Sequence, residues 1–316
     1  MSDETVKSTS LWGDAWKRLL RNKLAVFGLV VLAVMVAAVI VGPYLIQALT
    51  GYTYDSIPTD RALVRSMPPS LTHLMGTDDA GRDLLARVLQ GGRISLMVGI
   101  ISTLVSLIVG VTYGAAAGYL GGRIDNLMMR IVDILYSIPY ILIVIVLLAV
   151  FGGPSTPGWI KWLSTTVGGE GNQGLSQILL LFFALGLVSW LTMARVVRGQ
   201  VLSLKNQEFV MAARATGVSS LGIIFRHLIP NSLGPVIVYA TLTVPSVMLT
   251  EASLSFLGLG VQAPFASWGS LAADGIKNVA IFPWQLIAPG LTMALALFSL
   301  NFVGDGLRDA LDPQTR

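Results

Sequence analysis

Long apolar runs separated by short polar segments dominate this chain. A helix that crosses a bilayer needs about 20 mostly apolar residues, and six windows meet that requirement. The windows are residues 24–46, 94–120, 127–151, 176–194, 233–257 and 284–303. Four of them contain no charged residue, whereas the third contains Arg130 and Asp133 and the fifth contains Glu251. The pattern predicts an all-α membrane protein with six transmembrane helices.

Lys and Arg are unevenly divided between the connecting segments. If the N-terminus lies in the cytoplasm, the inside segments are residues 1–23, 121–130, 195–232 and 304–316. These segments hold 14 basic residues, whereas the outside segments 47–93, 152–175 and 258–283 hold 7. Because cytoplasmic loops carry an excess of Lys and Arg, the sequence predicts that both termini are cytoplasmic.

The composition agrees with a membrane protein and excludes other classes. Only 12% of the 316 residues are charged, 54% are hydrophobic, and the mean hydropathy is +0.73. A water-soluble globule of this size would have too few polar side chains to cover its surface. We therefore exclude a disordered chain, a nucleic-acid-binding module and most soluble enzymes. The net charge of +4 is expected to face anionic lipid and cytosolic partners. The absence of cysteine excludes thiolate metal sites.

The N-terminal segment 1–23 has the pattern of a helix that lies on a membrane surface. Apolar residues recur there at helical spacing, and basic residues surround them. The apolar residues are Leu11, Trp12, Ala15, Trp16, Leu19 and Leu20. We expect this segment to lead into the first transmembrane helix, 24–46, which an extracytoplasmic loop, 47–93, follows.

The segment 195–232 is the longest predicted inside segment between two spans, and it is expected to contain two short helices. Residues 205–216 favour the first helix, Gly217 suits a left-handed C-terminal residue, and Ser219 or Ser220 can cap the second. The second helix carries an apolar stripe, and Pro230 is expected to end it. The stripe consists of Leu221, Ile224, Phe225 and Leu228. It can pack on the chain's own helices or on lipid, or it can enter a groove on a partner protein.

Motifs in this segment resemble the EAA loop of ATP-binding-cassette (ABC) importer permeases. Met211-Ala-Ala-Arg-Ala-Thr-Gly217 precedes His227-Leu-Ile-Pro230 by nine residues. Ala212, Ala213, Gly217 and Pro230 match the family pattern, and Met211 stands where that pattern has Glu. The departures resemble the dipeptide, oligopeptide and nickel branch, as do Gly76-Thr-Asp-Asp-Ala-Gly-Arg-Asp83 and Ser253-Leu-Ser-Phe-Leu-Gly-Leu-Gly260. The resemblance extends from about residue 10 to 314 and is closest to the C-type subunits of that branch.

The resemblance implies a type I importer permease core over residues 94–306, with a cytoplasmic tail at 307–316. Segment 195–232 would then be a coupling loop that docks on separate ATPase subunits. Gly217 would be its hinge, Leu221, Ile224 and Phe225 its docking face, and Arg214 and Arg226 polar contacts at the rim. The full set of implied coupling residues is Ala212, Ala213, Arg214, Gly217, Leu221, Ile224, Phe225, Arg226 and Pro230.

The chain itself contains no Gly-Lys pair and therefore no phosphate-binding P-loop. ATP and Mg are accordingly expected on the partner subunits, with no cofactor in this chain. The implied partners are a homologous permease subunit in a heterodimer, two ABC ATPases, an extracytoplasmic substrate-binding protein and membrane lipid, but no nucleic acid. The implied location is the bacterial inner membrane.

Charged residues within or next to membrane spans are candidates for a functional role. Asp133 is spaced to pair with Arg130, and Glu251 is expected near the outer leaflet, lining a gate or bonding to the sister subunit. Four further candidates for an outer gate or a binding-protein contact precede the second span. They are Asp78, Asp79, Arg82 and Asp83.

Helix shape is a further expectation of the sequence. Gly110, Gly114 and Gly118 share a face for close helix packing, whether with this chain or another. Pro139, Pro235 and Pro245 are expected to bend helices around a pathway.

Two other functions are alternatives to the hypothesis of an ABC permease. An ion-coupled secondary transporter usually has more spans, repeats and charged midplane sites. A membrane enzyme needs convergent catalytic groups or a metal set. His73 and His227 are expected on opposite sides, which disfavours a metal site. The cargo stays open between dipeptides, longer peptides, glutathione-like molecules and nickel complexes.

Overall fold

The computed structural model describes residues 11–60, 64–151, 156–168 and 173–311. Regular structure in these ranges is helical, apart from one isolated bridge between Thr77 and Asp83. The helices are α1 (Leu11–Arg21), α2 (Lys23–Thr50), α3 (Leu84–Leu120), α4 (Gly122–Ser137), α5 (Tyr140–Phe151), α6 (Gly158–Gly168), α7 (Gln173–Leu204), α8 (Glu208–Ala215), α9 (Ser220–Ile223), α10 (Ile229–Phe256), α11 (Trp268–Lys277) and α12 (Trp284–Leu311). Residues 1–10 of the predicted N-terminal segment and 312–316 of the predicted tail lie outside the described residues.

Five helices of the described chain are long and apolar enough to cross a membrane: α2, α3, α7, the continuous helix Ser220–Phe256 that contains α9 and α10, and α12. The third predicted window, 127–151, is not a straight span. Its two parts, α4 and α5, meet at an angle of 87°. Pro139 lies in the break, and Ile138 before it is extended, because a proline ring disfavours helical geometry in the preceding residue.

The bent pair α4 and α5 still passes from one end of the bundle to the other. Near its start, Asp125 accepts two hydrogen bonds from Arg198, which lies close to the C-terminal end of α7. Farther along, Val144 packs in one core cluster with Ile178 and Leu181 from the opposite half of α7. With this pair counted as one broken span, the described residues contain the six crossings that the sequence predicts, and without it they contain five.

The connecting segments gather at two ends of the bundle. At the first, here the Asp79 end, Asn278 Nδ2 donates to Asp79 Oδ2 at 2.6 Å and Trp284 Nε1 to the Thr77 carbonyl at 3.3 Å. At the second, the Phe225 end, Lys205 Nζ donates to the Gly118 carbonyl at 3.0 Å. Segments 47–93 and 258–283, which the charge pattern assigns to the outside, thus lie together, and segment 195–232 lies against the end of α3 at the opposite end of the bundle.

The glycine face of α3 packs against α7 of the same chain. A Cβ on Gly114 would lie 2.3 Å from the Ala194 carbonyl oxygen, and one on Gly110 would lie 2.6 Å from Met193. Gly118 likewise faces Val201 at 3.0 Å. The three glycines therefore allow the two helices to approach closely, as the sequence predicts, and the neighbour is internal.

Candidate functional site

The loop between α7 and α10 has the predicted two-helix design around Gly217. Gly217 ends α8 with a φ of +80°, a conformation that a β-carbon disfavours. Ser219 then caps α9, because its Oγ accepts a hydrogen bond from the Gly222 amide at 3.2 Å. The first helix starts at Glu208 rather than at the predicted residue 205. A Cβ on Gly217 would meet open space in this chain.

Pro230 does not end the second helix, contrary to expectation. Residues Ile224–Leu228 form a π-helical turn, in which the Ile229 amide donates to the Ile224 carbonyl, and the helix then continues to Phe256. Proline lacks the N–H that an α-helix uses, and the wide turn just before it shifts the hydrogen-bond partners. Pro230 accordingly occupies the first turn of α10, where no such donor is needed. The second loop helix is thus continuous with a transmembrane helix.

One side of the loop is buried against the helical bundle. Val210 and Ala213 from α8 are buried with Ile224 and Leu228 in one apolar cluster. The other members include Ala115 of α3, Met193, Val197 and Val201 of α7, and Val236 and Ala240 of α10. Ile224 therefore cannot belong to an exposed docking face, and its expected place there is wrong. The apolar stripe is wide enough to divide between two surfaces, which the spacing alone does not show.

Four large apolar side chains of the loop are exposed, and we call them together the loop patch. It consists of Phe209, Met211, Leu221 and Phe225. Leu221 is 68% exposed and Phe225 is 56% exposed. Ala212, Arg226 and Pro230 are also exposed. Arg214 is exposed too and lies over the Tyr119 ring at 5.3 Å. Two of the three residues expected on the docking face, Leu221 and Phe225, are therefore available to a partner.

A cavity of about 610 Å³ lies where α4 breaks from α5, against α7 and α10. Its wall carries many hydroxyl groups and no charged side chain. The hydroxyl-bearing residues are Tyr136, Ser137, Tyr140, Ser189, Thr192, Tyr239, Thr243, Ser246 and Thr250. None of these residues is distinctive in the sequence, and only the prolines at 139 and 245 lie in this region as predicted helix bends. Neutral hydroxyls can offer hydrogen bonds to a polar solute without selecting its charge.

Asp133 lies beside this cavity but does not pair with Arg130 as expected. Arg195 Nη2 donates to Asp133 Oδ1 at 2.8 Å, and the Arg195 guanidinium lies 4.2 Å from the centre of the Tyr136 ring. Arg195 comes from α7, so this ion pair joins α4 to α7 next to a residue that lines the cavity. Both side chains are partly exposed, and such a pair is weak in water.

Glu251 does not line the cavity or face a sister subunit. Its side chain is buried, and Oε1 accepts hydrogen bonds from Ser255 at 2.7 Å and from Ser267 at 2.6 Å. Ser267 is the N-terminal cap of α11. The expected gate role is therefore wrong for Glu251, which instead fixes the start of α11 to α10.

The four acidic and basic candidates before α3 form an internal network. Asp83 caps α3 at the Ala86 amide and contacts His73 Nδ1 at 2.9 Å. Asp78 accepts from Arg82 Nε at 2.7 Å and from Arg87 Nη1. The three aspartates among the candidates have partners inside this chain, so they act first as structural anchors of this end.

Asp79 joins the network from a more exposed position. Burial acts to raise its pKa, but hydrogen bonds from Ser66, Gln285 and Asn278 outweigh it and hold the pKa below the usual value. The Asp79 carboxylate is thereby kept charged, and it ties the loop before α3 to the segment between α11 and α12.

Sequence comparisons cover nearly the whole chain. Residues 110–316 match the family described as binding-protein-dependent transport system inner membrane component, and residues 10–69 match the N-terminal TM domain of oligopeptide transport permease C. The chain is 48% identical over 312 residues to the oligopeptide transport system permease protein OppC of Escherichia coli (strain K12), with 98% of this chain and 94% of the relative covered.

More distant relatives carry similar descriptions. The dipeptide transport system permease protein DppC of Bacillus subtilis (strain 168) is 42% identical over 310 residues, with 98% of this chain and 88% of the relative covered. Among solved structures, a chain of the MetNI methionine ABC transporter in inward-facing conformations has a TM-score of 0.49 at 18% identity, over 72% of this chain and 96% of the other.

Proposed function

The chain belongs to the family of binding-protein-dependent transport system inner membrane components, and we propose that it moves peptides inward as one half of an ATP-driven importer. Family membership favours this function over an ion-coupled secondary transporter. The relatives are described as oligopeptide and dipeptide permeases, which supports peptides as the cargo. The protein resides in the bacterial inner membrane.

The observation that carries the proposal is the division of the loop into a buried side and an exposed side. The exposed loop patch, with Leu221 and Phe225, is the docking face for an ATPase subunit. The buried side, with Val210 and Leu228, fastens the same loop to α3, α7 and α10. A force applied at the patch is therefore passed directly to transmembrane helices.

The same two helices, α7 and α10, carry this motion to the central cavity. Ser189 and Thr192 of α7 and Thr243 and Ser246 of α10 line its wall. Helix Ser220–Phe256 runs without a break from Leu221 of the loop patch to these cavity residues. Closure of the ATPases would thus tilt the cavity wall, and alternating access follows from this lever.

One chain supplies only one wall of the pathway and no ATP-binding motif, so we expect partner proteins to supply both. A homologous permease subunit would close the other side of the cavity to give a heterodimer. Two ABC ATPases would bind and hydrolyse ATP with Mg, because the sequence has no P-loop. An extracytoplasmic binding protein would deliver the peptide, and lipid would cover the remaining apolar faces.

The cavity chemistry suits peptides of varied sequence. Its wall is uncharged. The hydroxyls of Ser189, Thr243 and Thr250 already donate to carbonyls of their own helices, so they can accept hydrogen bonds from the backbone N–H groups that every peptide has. A wall without charged side chains imposes no preference for acidic or basic residues of the cargo. Selection among cargoes would therefore fall to the binding protein.

The membrane orientation of the proposal places the Phe225 end in the cytoplasm, with both termini inside. The excess of Lys and Arg in the segments at that end supports this choice. Because the chain has no cysteine, single cysteines can test it in whole cells. We expect a cysteine at Asn206, which is exposed in the same loop but outside the loop patch, to resist a membrane-impermeant maleimide until the membrane is opened, and one at Leu71 to react at once. The reverse result would overturn the orientation.

The function itself is tested by purification and transport. We expect the tagged chain to retain ATPase subunits and a second permease in mild detergent. In proteoliposomes, the complex should take up peptide only with ATP and a binding protein. Uptake driven by an ion gradient without ATP, and without bound ATPases, would refute the proposal.

A further inference from the structure

A polar pocket of about 310 Å³ opens at the Asp79 end, apart from the central cavity. The first turn of α3, the end of α10, the following segment 258–265 and α11 enclose it. Three cationic side chains line it, Arg82, Arg87 and Lys277, with one carboxylate, that of Asp274. No residue lines both this pocket and the central cavity, so it is not a part of the pathway described above.

Arg87 is buried in this wall with part of its guanidinium unused. The residue is 6% exposed, and its Nε has no hydrogen-bond acceptor among the described residues. Its one acidic partner, Asp78, is already saturated. Asp78 Oδ1 accepts from the Ala80 and Arg82 amides, each at 2.9 Å. Asp78 Oδ2 accepts from Arg82 Nε and Arg87 Nη1. A carboxylate offers about four acceptor positions, so Asp78 has none left for Arg87 Nε.

The charges around Arg87 favour an anion on this side of the cluster. Arg82 and Arg87 share the carboxylate of Asp78, and the nearby carboxylate of Asp274 is paired with Lys277 at 3.0 Å. Three cationic side chains are thus set against two carboxylates. A second pocket of about 280 Å³ lies on the other side of the same two arginines and is lined by Asp78, Asp79 and Asp274. Only Asp274 of these three lines the first pocket. A carboxylate in the first pocket would face three cationic side chains and one acidic one, whereas in the second it would face the same three cations and three acidic side chains. The first pocket is therefore where an added carboxylate would meet the least repulsion.

We propose that this pocket, formed by Arg82, Arg87 and Lys277, receives a carboxylate side chain from the extracytoplasmic binding protein. The proposal rests on the function proposed above, which supplies such a partner. The Lys277 and Asp274 side chains at the rim are 71% and 66% exposed, so the pocket opens on the outer surface of the Asp79 end. A protein that docks on that surface can insert an acidic side chain, whereas cargo in the central cavity touches none of these residues.

The test measures binding of the purified binding protein to the complete transporter in nanodiscs, with and without peptide. The variants are Arg82→Gln, and Lys277→Gln, which leaves the Asp78 network untouched. The matched control is Arg65→Gln, which removes one exposed positive charge at the same end but outside the pocket. A monodisperse elution profile with bound ATPases confirms that each variant is assembled. We expect each pocket variant to raise the Kd about tenfold and to flatten its salt dependence, and the control to change the Kd less than twofold.

Three results would separate the explanations. Equal binding by the pocket variants, the control and the wild type overturns the pocket proposal but leaves the importer function standing. Unchanged docking, together with a loss of uptake for free-acid but not for C-terminally amidated peptides, assigns the pocket to the cargo and also overturns it. Failure of the wild-type complex to bind any binding protein would instead refute the proposed function.

Discussion

Phe225 is the residue at which the coupling account can be tested most sharply. It lies on the exposed side of the second loop helix, whereas its neighbour Ile224 is buried in the bundle. Phe225→Ala therefore removes the docking ring and disturbs little inside the chain. Ile224→Ala removes a buried side chain and leaves the loop patch in place.

The size of the effect follows from the exposed area of the ring. A Phe side chain can bury about 200 Å², and 56% of Phe225 is exposed, so about 110 Å² is available to a partner. At about 25 cal/mol per Å², burying this area is worth about 2.8 kcal/mol. Alanine keeps part of the contact, so we expect a loss of about 2 kcal/mol, which corresponds to about 30-fold weaker binding of the ATPase.

The assay is titration of purified ATPase subunits onto the permease in nanodiscs, with ATP hydrolysis and peptide uptake measured on the same samples. Phe225→Ala should weaken binding and reduce the uptake per ATP hydrolysed. Phe298→Ala is the control, because Phe298 is 62% exposed on α12, outside the loop patch. Ile224→Ala should lower the free energy of unfolding by about 2–5 kcal/mol and leave the loop patch intact. Equal ATPase affinity for Phe225→Ala and the wild type would show that the Phe225 ring does not contact the ATPase.

Substitutions at three further positions, each paired with a control substitution, test how the loop and the helical bundle are held together. Gly217→Ala should destabilise the loop by about 1–2 kcal/mol, because a β-carbon disfavours the left-handed backbone conformation. Gly217→Asn should destabilise it less, because Asn tolerates this conformation. Equal melting temperatures for the two variants would contradict this expectation. Gly114→Ala should abolish assembly, since its Cβ would lie 2.3 Å from the Ala194 carbonyl, and Gly199→Ala, which meets open space, should be harmless in the same gel-filtration assay. Glu251→Ala should destabilise the protein by about 1 kcal/mol per lost hydrogen bond, and Glu251→Gln by less, as measured by thermal unfolding.

Features with a local physical cause were predictable from the sequence. The spans follow from the length of the apolar runs, and the turn at Gly217 and the cap at Ser219 follow from backbone preferences. Pro139 gave the place of the bend in α4 and α5, but not its angle of 87°. The expectation that Pro230 ends the second loop helix was wrong, because a π-helical turn can accommodate a proline that would otherwise end a helix.

Features that depend on distant partners were not predictable. Asp133 pairs with Arg195, and Glu251 binds Ser267, through contacts that no spacing along one helix indicates. The division of the apolar stripe between Ile224 inside and Phe225 outside depends on how the loop sits on α7 and α10. The sequence does not distinguish the serines and threonines of the cavity wall from the other hydroxyl residues in the spans, because only the fold brings them together.

The most direct test of the account is to identify what touches the loop patch in the assembled transporter. A photo-crosslinking amino acid would replace Leu221 in the patch or, as a control, Leu71, which is 99% exposed at the opposite end. We expect the Leu221 position to crosslink to an ATPase subunit and the Leu71 position not to do so. An ATPase crosslink from Leu71 with none from Leu221 would contradict docking at the loop patch.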